Sequence, residues 1–123
     1  MKRELESELV KKYPKLFEQY GGDPRKTCMA WGCAHGDGWF ALLDELCSKL
    51  SKFESVVFEQ IKEKFGGLTI YISCEEHDFD QAHELIGEYY DKSKTVCETC
   101  GKPGQIRKGS WIHVACDDCH NKQ

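Results

Sequence analysis

Apolar positions in the first 17 residues fall on one helical stripe: Leu5, Leu9, Val10, Tyr13, Leu16 and Phe17. Their spacing of three and four is that of a helix burying one face. Pro14 interrupts the stripe, so the pattern predicts a helix over residues 2–12 and a short second helix over 14–20 that starts on the proline. Gly21 and Gly22 can supply the positive φ of a helix stop. The polar face mixes acids and bases, which fits packing on a core and not lying on a membrane. After the loop "TCMAWGCAHGDGW", Trp39, Leu42, Leu43, Leu46, Cys47 and Leu50 recur at helical spacing and predict a helix over 38–52. Val57, Ile61 and Phe65 read as one face of a strand, and Leu68, Ile70 and Ile72 as its partner across a Gly66-Gly67 turn. The two runs predict a β-hairpin over 55–73, although Glu59, Lys62, Glu63 and Lys64 leave part of the first run open to a helix. A third main helix over 78–92 is predicted, capped by Asp78, with Phe79, Ala82, Leu85, Ile86 and Tyr89 on its inner face.

The pattern changes character in "CETCGKPGQIRKGSWIHVACDDCH". Cys97/Cys100 and Cys116/Cys119 form two Cys-x-x-Cys pairs separated by 15 residues. Each such pair places two thiolates on one tight turn, and two pairs suit a tetrahedral metal. The stretch between them can double back as a hairpin, Gln105–Lys108 against Trp111–Ala115, around Gly109-Ser110. Gly101 after the first pair, and His120 and Asn121 after the second, are types that tolerate positive φ. This is the spacing of a zinc ribbon holding one structural Zn²⁺, because four thiolates leave no position for water. A redox pair is the rival, but it needs a helix N-terminus beside its first cysteine, and "GKPG" starts no helix easily. The fold class is therefore α+β: a small helical body with a β-hairpin over residues 1–94, and a C-terminal zinc ribbon over 95–123.

Composition narrows the functional classes. No apolar run approaches the roughly 18 residues needed to span a bilayer, and the charged start "MKRELESELVKKYPKLF" has no leader-like apolar core. A cytoplasmic setting is expected, where eight cysteines point to metal or catalysis before disulfides. Residues 1–91 hold 11 Lys/Arg against 18 Asp/Glu, a formal −7; residues 92–123 hold 6 against 3, a formal +3. An acidic body repels a phosphate backbone. A four-thiolate zinc site carries a net charge of about −2, which leaves the tail near neutral. Arg107, Lys108, Trp111 and His113 still combine cations with an aromatic ring, a pairing that suits nucleic acid or a protein partner. The plainer reading has Trp111 covering the ribbon against the body, with the cations solvated.

The central loop offers weaker chemistry. Cys28, Cys33, His35 and Cys47 are suitable types for a second metal, but their spacing is irregular. Cys28 or Cys33 beside His35 and Asp37 also resembles a Cys/His catalytic arrangement. The structural alternative packs the cysteines as small hydrophobes, puts Trp31 and Trp39 in the core, and uses Asp37 as a helix cap. His77-Asp78 reads as a helix start, and Cys74 as a buried free thiol. No phosphate-cradling glycine loop, serine elbow or paired catalytic carboxylate stands out, and no small-molecule substrate is indicated.

The segments "YPKLF…YGGDPRKTCMAWG…HGDGWFALLDELC" and "QIKEKFGGLTIYIS", with the cysteine tail, resemble a group of short uncharacterised bacteriophage and prophage proteins. That group shares a GDGWF-type segment, a KEKFGGL-type segment and a closing zinc ribbon, and the likeness covers nearly the whole chain. Cys33 stands where the group often carries an aromatic residue, a departure that counts against a ligand or nucleophile there. The resemblance implies a bacterial host cytoplasm and a non-catalytic protein that engages a host protein, in a regulatory or counter-defence role. Nucleic-acid binding through the ribbon and a Cys/His enzyme centred on residues 28–37 are the alternatives.

Overall fold

The computed structural model describes residues 1–122, so Gln123 of the predicted ribbon lies outside the described residues. The first helix, α1 (Arg3–Lys12), carries Glu4 and Glu6 in its first turn and Lys11 and Lys12 in its last, both favourable to the helix dipole. It ends at Tyr13, whose hydroxyl donates to Asp44 Oδ1 at 2.8 Å. The predicted helix over 14–20 is a correction: that segment is a series of turns. Leu16 and Phe17 are buried as the stripe requires, but the Leu16 carbonyl accepts the Phe58 N–H at 2.9 Å. A carbonyl turned sideways to a strand is not aimed along a helix axis at its own i+4 N–H.

A 3₁₀ turn (Cys28–Trp31) is capped by Thr27, whose side chain accepts the Met29 N–H. It leads to β1 (Cys33–Ala34) and, through a second 3₁₀ turn (Asp37–Trp39), to α2 (Phe40–Leu50). Strand β2 (Val57–Lys64) pairs in parallel with β1 and antiparallel with β3 (Gly67–Ser73), giving the sheet order β1-β2-β3. The whole first run is strand, with a bulge between Phe58 and Gln60 that lets Val57 and Phe58 both be buried. Helix α3 (Glu76–Ser93) packs Ala82, Ile86 and Tyr89 inward. Leu43, Leu46, Cys47 and Leu50 of α2 and Ile61, Leu68 and Ile70 of the sheet complete the core.

Three further expectations are corrected. Trp31 is 75% exposed, and Met29 is the residue of that turn that joins Trp39 in the buried core cluster. Phe79 is exposed on α3, not on its inner face. Asp78 does not cap α3: Glu75 holds that position, while Asp78 accepts Ser55 Oγ at 2.6 Å and Ser55 in turn accepts the Glu75 N–H.

The hairpin turn also differs from the expected Gly-Gly. Lys64 pairs with Gly67, so the loop is Phe65-Gly66, with φ of 53° and 84°. Two residues at positive φ make a type I′ turn, the one that matches strand twist. Gly67 is the first residue of β3 and is glycine for a different reason: a Cβ there would lie 2.2 Å from the Tyr90 ring.

Candidate functional site: a four-cysteine centre and its seat

The C-terminal segment forms β4 (Gln105–Arg107) and β5 (His113–Ala115), antiparallel, with a Val96–Pro103 bridge beneath them and a short α4 (Asp117–Asn121) at the end. The first cysteine pair sits on a knuckle closed by Cys97 N–H to the Lys102 carbonyl at 2.7 Å and Gly101 N–H to the Cys97 carbonyl at 2.9 Å. Gly101 takes φ 83°, as its position predicts. The second pair is corrected: His120 and Asn121 lie in α4, whose N-cap Cys116 accepts the Cys119 N–H on its sulfur at 3.4 Å.

The four sulfurs of Cys97, Cys100, Cys116 and Cys119 lie within 4.8 Å of one another. Cys100 Sγ and Cys116 Sγ are 3.6 Å apart, and all eight cysteines are free thiols. A tetrahedron of sulfurs at the usual zinc distance has edges of about 3.8 Å, so this spacing fits a shared ion and not a disulfide. Burial alone would push the Cys97 thiol up, but backbone N–H groups at Cys116, Cys100 and Thr99 bring it down to about 6. Hydrogen bonds to Cys116 and Cys100 hold Cys119 up, at about 12. The cluster thus stabilises one thiolate readily and resists the last, which a divalent cation would offset. These four cysteines can hold a metal ion, and among the described residues no other group of three or more His, Cys, Asp or Glu side chains converges in this way.

The ribbon is not a free appendage. Gly38 N–H donates to the Glu98 carbonyl at 2.7 Å, Gly36 N–H to Glu98 Oε2 at 2.9 Å, and the buried Trp39 indole N–H to the Val96 carbonyl at 2.9 Å. A Cβ on Gly38 would fall 2.1 Å from the Cys97 carbonyl oxygen, and one on Gly36 would fall 2.3 Å from that of Glu98. The GDGW segment is glycine-rich because the first cysteine knuckle presses on its backbone. Burial pushes the half-buried Glu98 carboxyl up from its usual value, against the pull of the Gly36 N–H. On the other side, a Cβ on Gly66 would lie 3.3 Å from Ile112, 3.7 Å from Val114 and 3.9 Å from Ile106. Val114 belongs to the same buried cluster as Leu9 and Leu43. The GDGW loop and the hairpin tip are therefore the two seats of the ribbon.

Of the four proposed contact residues, two are engaged internally. Arg107 donates from Nε to the Ala115 carbonyl at 3.1 Å and from Nη2 to Asp117 at 2.7 Å. His113 stacks on Trp111 with ring centroids 4.7 Å apart and packs against His120 at 5.9 Å. Lys108 is exposed and Trp111 is 55% exposed, so the tryptophan does not cover the ribbon against the body.

The central loop is not a second centre. Cys28 is exposed, whereas Cys33, His35 and Cys47 are buried and do not converge with it on one point. Burial pushes Cys33 up to about 12 and Cys47 well above its ordinary value, so neither is a ready nucleophile. His35 bonds through Nδ1 to the Gly36 carbonyl, and burial pushes it down to about 4. Asp37 accepts the Lys2 N–H at 2.8 Å, so it ties down the residue before α1 and does not cap the helix that follows it. A buried group the sequence did not flag is Glu6, which accepts the Cys33 N–H at 2.8 Å and the Tyr20 hydroxyl. Its Oε1 would lie 2.6 Å from a Cβ on Gly32, where φ is 73°.

No family model, curated protein or solved structure matches the chain. No helix among the described residues is long and apolar enough to cross a membrane.

Proposed function

We propose that this chain is a non-catalytic binding protein, held in shape by one Zn²⁺ on Cys97, Cys100, Cys116 and Cys119, that engages another protein through the surface where the hairpin tip meets the ribbon. The observation that carries this reading is the gathering of exposed apolar side chains there. Seven large hydrophobic residues are exposed among the described residues, and three of them meet at the hairpin tip: Phe65 in the turn itself, with Ile106 and Ile112 beside Gly66. Apolar clusters of this kind mark contact surfaces, with aromatic residues as their usual anchors. The zinc assignment rests on four soft sulfur donors at tetrahedral spacing. Such an ion would contribute on the order of 10 kcal/mol to ordering the ribbon and would do no chemistry itself.

The likeness of the GDGWF and KEKFGGL segments to phage and prophage proteins makes a bacterial host protein the partner we propose. Two observations weigh against the alternatives. Arg107 and His113 are held within the ribbon, which leaves a thin footprint for a phosphate backbone. The Cys33 thiol is buried, and His35, the base that either Cys28 or Cys33 would need, is itself buried with Nδ1 on the Gly36 carbonyl, which disfavours a Cys/His enzyme.

A photo-crosslinking residue in place of Phe65, in bacterial cells producing the protein, tests the reading. A discrete protein adduct that is lost on Ile112→Asp is expected. The same adducts from a crosslinker at exposed Lys52 would overturn it.

A further inference from the structure

The outer face of the sheet is polar. On β2, Gln60 and Lys62 flank the buried Ile61, and their partners across the ladder are Tyr71 and Thr69 of β3. Lys62 and Tyr71 are thus diagonal neighbours on one face, and the Lys62 ammonium lies 5.6 Å from the centre of the Tyr71 ring. The segment before the first 3₁₀ turn runs beside this face, and Asp23 fixes its shape. The Asp23 carbonyl accepts the Lys26 and Thr27 N–H groups at 2.9 and 3.0 Å, and its carboxylate accepts the Arg25 N–H at 2.9 Å. Segment and sheet together enclose a cleft of about 460 Å³, bordered among others by Lys26, Cys28, Glu59, Gln60, Lys62 and Tyr71. That volume falls in the range of small-molecule sites.

The charge of the cleft runs against that of the body around it. Residues 1–91 carry a formal −7, yet the lining sets Arg25, Lys26 and Lys62 against Glu59 alone. Arg25 is answered by Asp23, whose carboxylate takes its Nε and Nη2 at 3.2 Å each. Lys26 and Lys62 form no ion pair among the described residues. The contact of Lys62 with an exposed ring is weak, and a charge-assisted hydrogen bond to an anion outcompetes it.

We infer that this cleft binds a nucleoside phosphate, with the base against Tyr71, the phosphate on Lys26 and Lys62, and ribose hydroxyls donating to Glu59. Three features select this class. Tyr71 is 44% exposed and offers a ring for stacking. The two unpaired ammoniums suit an anion. The Glu59 carboxylate repels a ligand that is anionic throughout, such as an acidic peptide, but accepts hydroxyls. Size and field then favour a free nucleotide over a strand. A longer chain would leave the cleft for the acidic body, which repels it, whereas a ligand confined to the cleft is screened from charges more than about 8 Å away. Failure of the hairpin-tip reading would leave this site standing, because the two share no residue.

Titration of the ¹⁵N-labelled full-length protein with AMP, adenosine, inorganic phosphate and an oligothymidylate tests it. AMP should give saturable amide shifts at Lys26, Thr27, Cys28, Gln60, Lys62 and Tyr71, with a Kd below about 1 mM. It should bind at least about tenfold more tightly than adenosine or phosphate alone, with the gap to adenosine closing as salt rises. Lys62→Gln should weaken AMP about tenfold and leave adenosine unchanged, while Tyr71→Leu should weaken both about fivefold. Both positions face outward from the sheet, and unchanged amide positions in the core report intact folding. Lys52→Gln, outside the cleft, should change nothing. Absence of saturable shifts with AMP, shifts confined to other regions, or tighter binding of oligothymidylate than of AMP would each overturn the inference. Wild-type affinity for AMP in Lys62→Gln would overturn it too.

Discussion

Gly38→Ala asks whether the metal ribbon is part of the fold or an attachment to it. Gly38 does not have positive φ, so alanine is conformationally acceptable, and reduced freedom of the unfolded chain would stabilise the variant by about 0.4–1 kcal/mol. Packing opposes this. The new Cβ would lie 2.1 Å from the Cys97 oxygen, 2.6 Å from the Gly101 nitrogen and 2.7 Å from the Glu98 carbonyl carbon. All three are backbone atoms and cannot rotate aside, so the knuckle must retreat by roughly 1 Å to reach ordinary contact. That movement breaks the 2.7 Å bond from Gly38 to Glu98 and stretches the one from Trp39 to Val96. Two hydrogen bonds at about 1 kcal/mol each, with about 1–3 kcal/mol of overpacking, outweigh the chain-entropy gain and leave a net loss of about 3 kcal/mol. By linkage the same loss appears as zinc affinity weakened about a hundredfold. Competition with a chromophoric zinc chelator measures it, beside urea unfolding of the metal-loaded protein. Gly87→Ala is the control, since no atom lies within 4 Å of its Cβ position in α3; it should stabilise by about 1 kcal/mol. Zinc affinity and urea midpoint both unchanged in Gly38→Ala would refute the idea that the loop is the ribbon's seat.

Other consequences can be measured separately. Burial holds His35 at about 4 instead of 6.5, so between those values the unfolded chain takes up a proton that the folded chain refuses. The stabilising contribution is whole above 6.5 and is lost as pH falls towards 4, in all about 3 kcal/mol. The stability gap between wild type and His35→Gln should therefore narrow as pH falls, and parallel profiles would contradict it. Gly67→Ala should cost about 1–3 kcal/mol because of the Tyr90 ring, and the cost should shrink by at least about 1 kcal/mol in a Tyr90→Ala background; strict additivity would argue against that contact. Phe65→Asn should stabilise the free protein by about 1 kcal/mol in urea titrations by relieving the strained turn. Trp39 is buried whereas Trp31 and Trp111 are exposed, so chelating the metal should shift tryptophan emission to longer wavelength if the knuckle leaves its seat.

The parts of the fold that could be read along the chain are those set by local periodicity. The stripe from Leu42 to Leu50 became α2, the β-branched runs became the hairpin, and the two Cys-x-x-Cys pairs brought their sulfurs together. The readings that failed depend on distant partners. Residues 14–20 carry a helical pattern, but Phe58 takes the Leu16 carbonyl. Trp39 heads the apolar stripe of α2 and is buried with its indole N–H on the distant Val96 carbonyl, whereas nothing local marked Trp31 as the exposed one. Strand β1 is two residues long and has no periodicity to detect. The glycines of GDGW and FGG read as turn formers, yet Gly36, Gly38 and Gly67 are small because something from beyond the local chain presses on them. At the candidate surface the cations and the aromatic ring were visible, but not that Arg107 is held inside the ribbon or that the hairpin tip rests against Ile106, Ile112 and Val114.

The bond from Trp39 to Val96 spans 57 positions, and α2, the hairpin and α3 all lie between its ends. Nearly half of the chain is therefore a circle fastened by a clasp, with the cysteine knuckle as the catch. If the four cysteines hold a metal ion, losing it would open the catch and expose the interior to proteases, so scarcity of that ion would shorten the lifetime of the entire polypeptide.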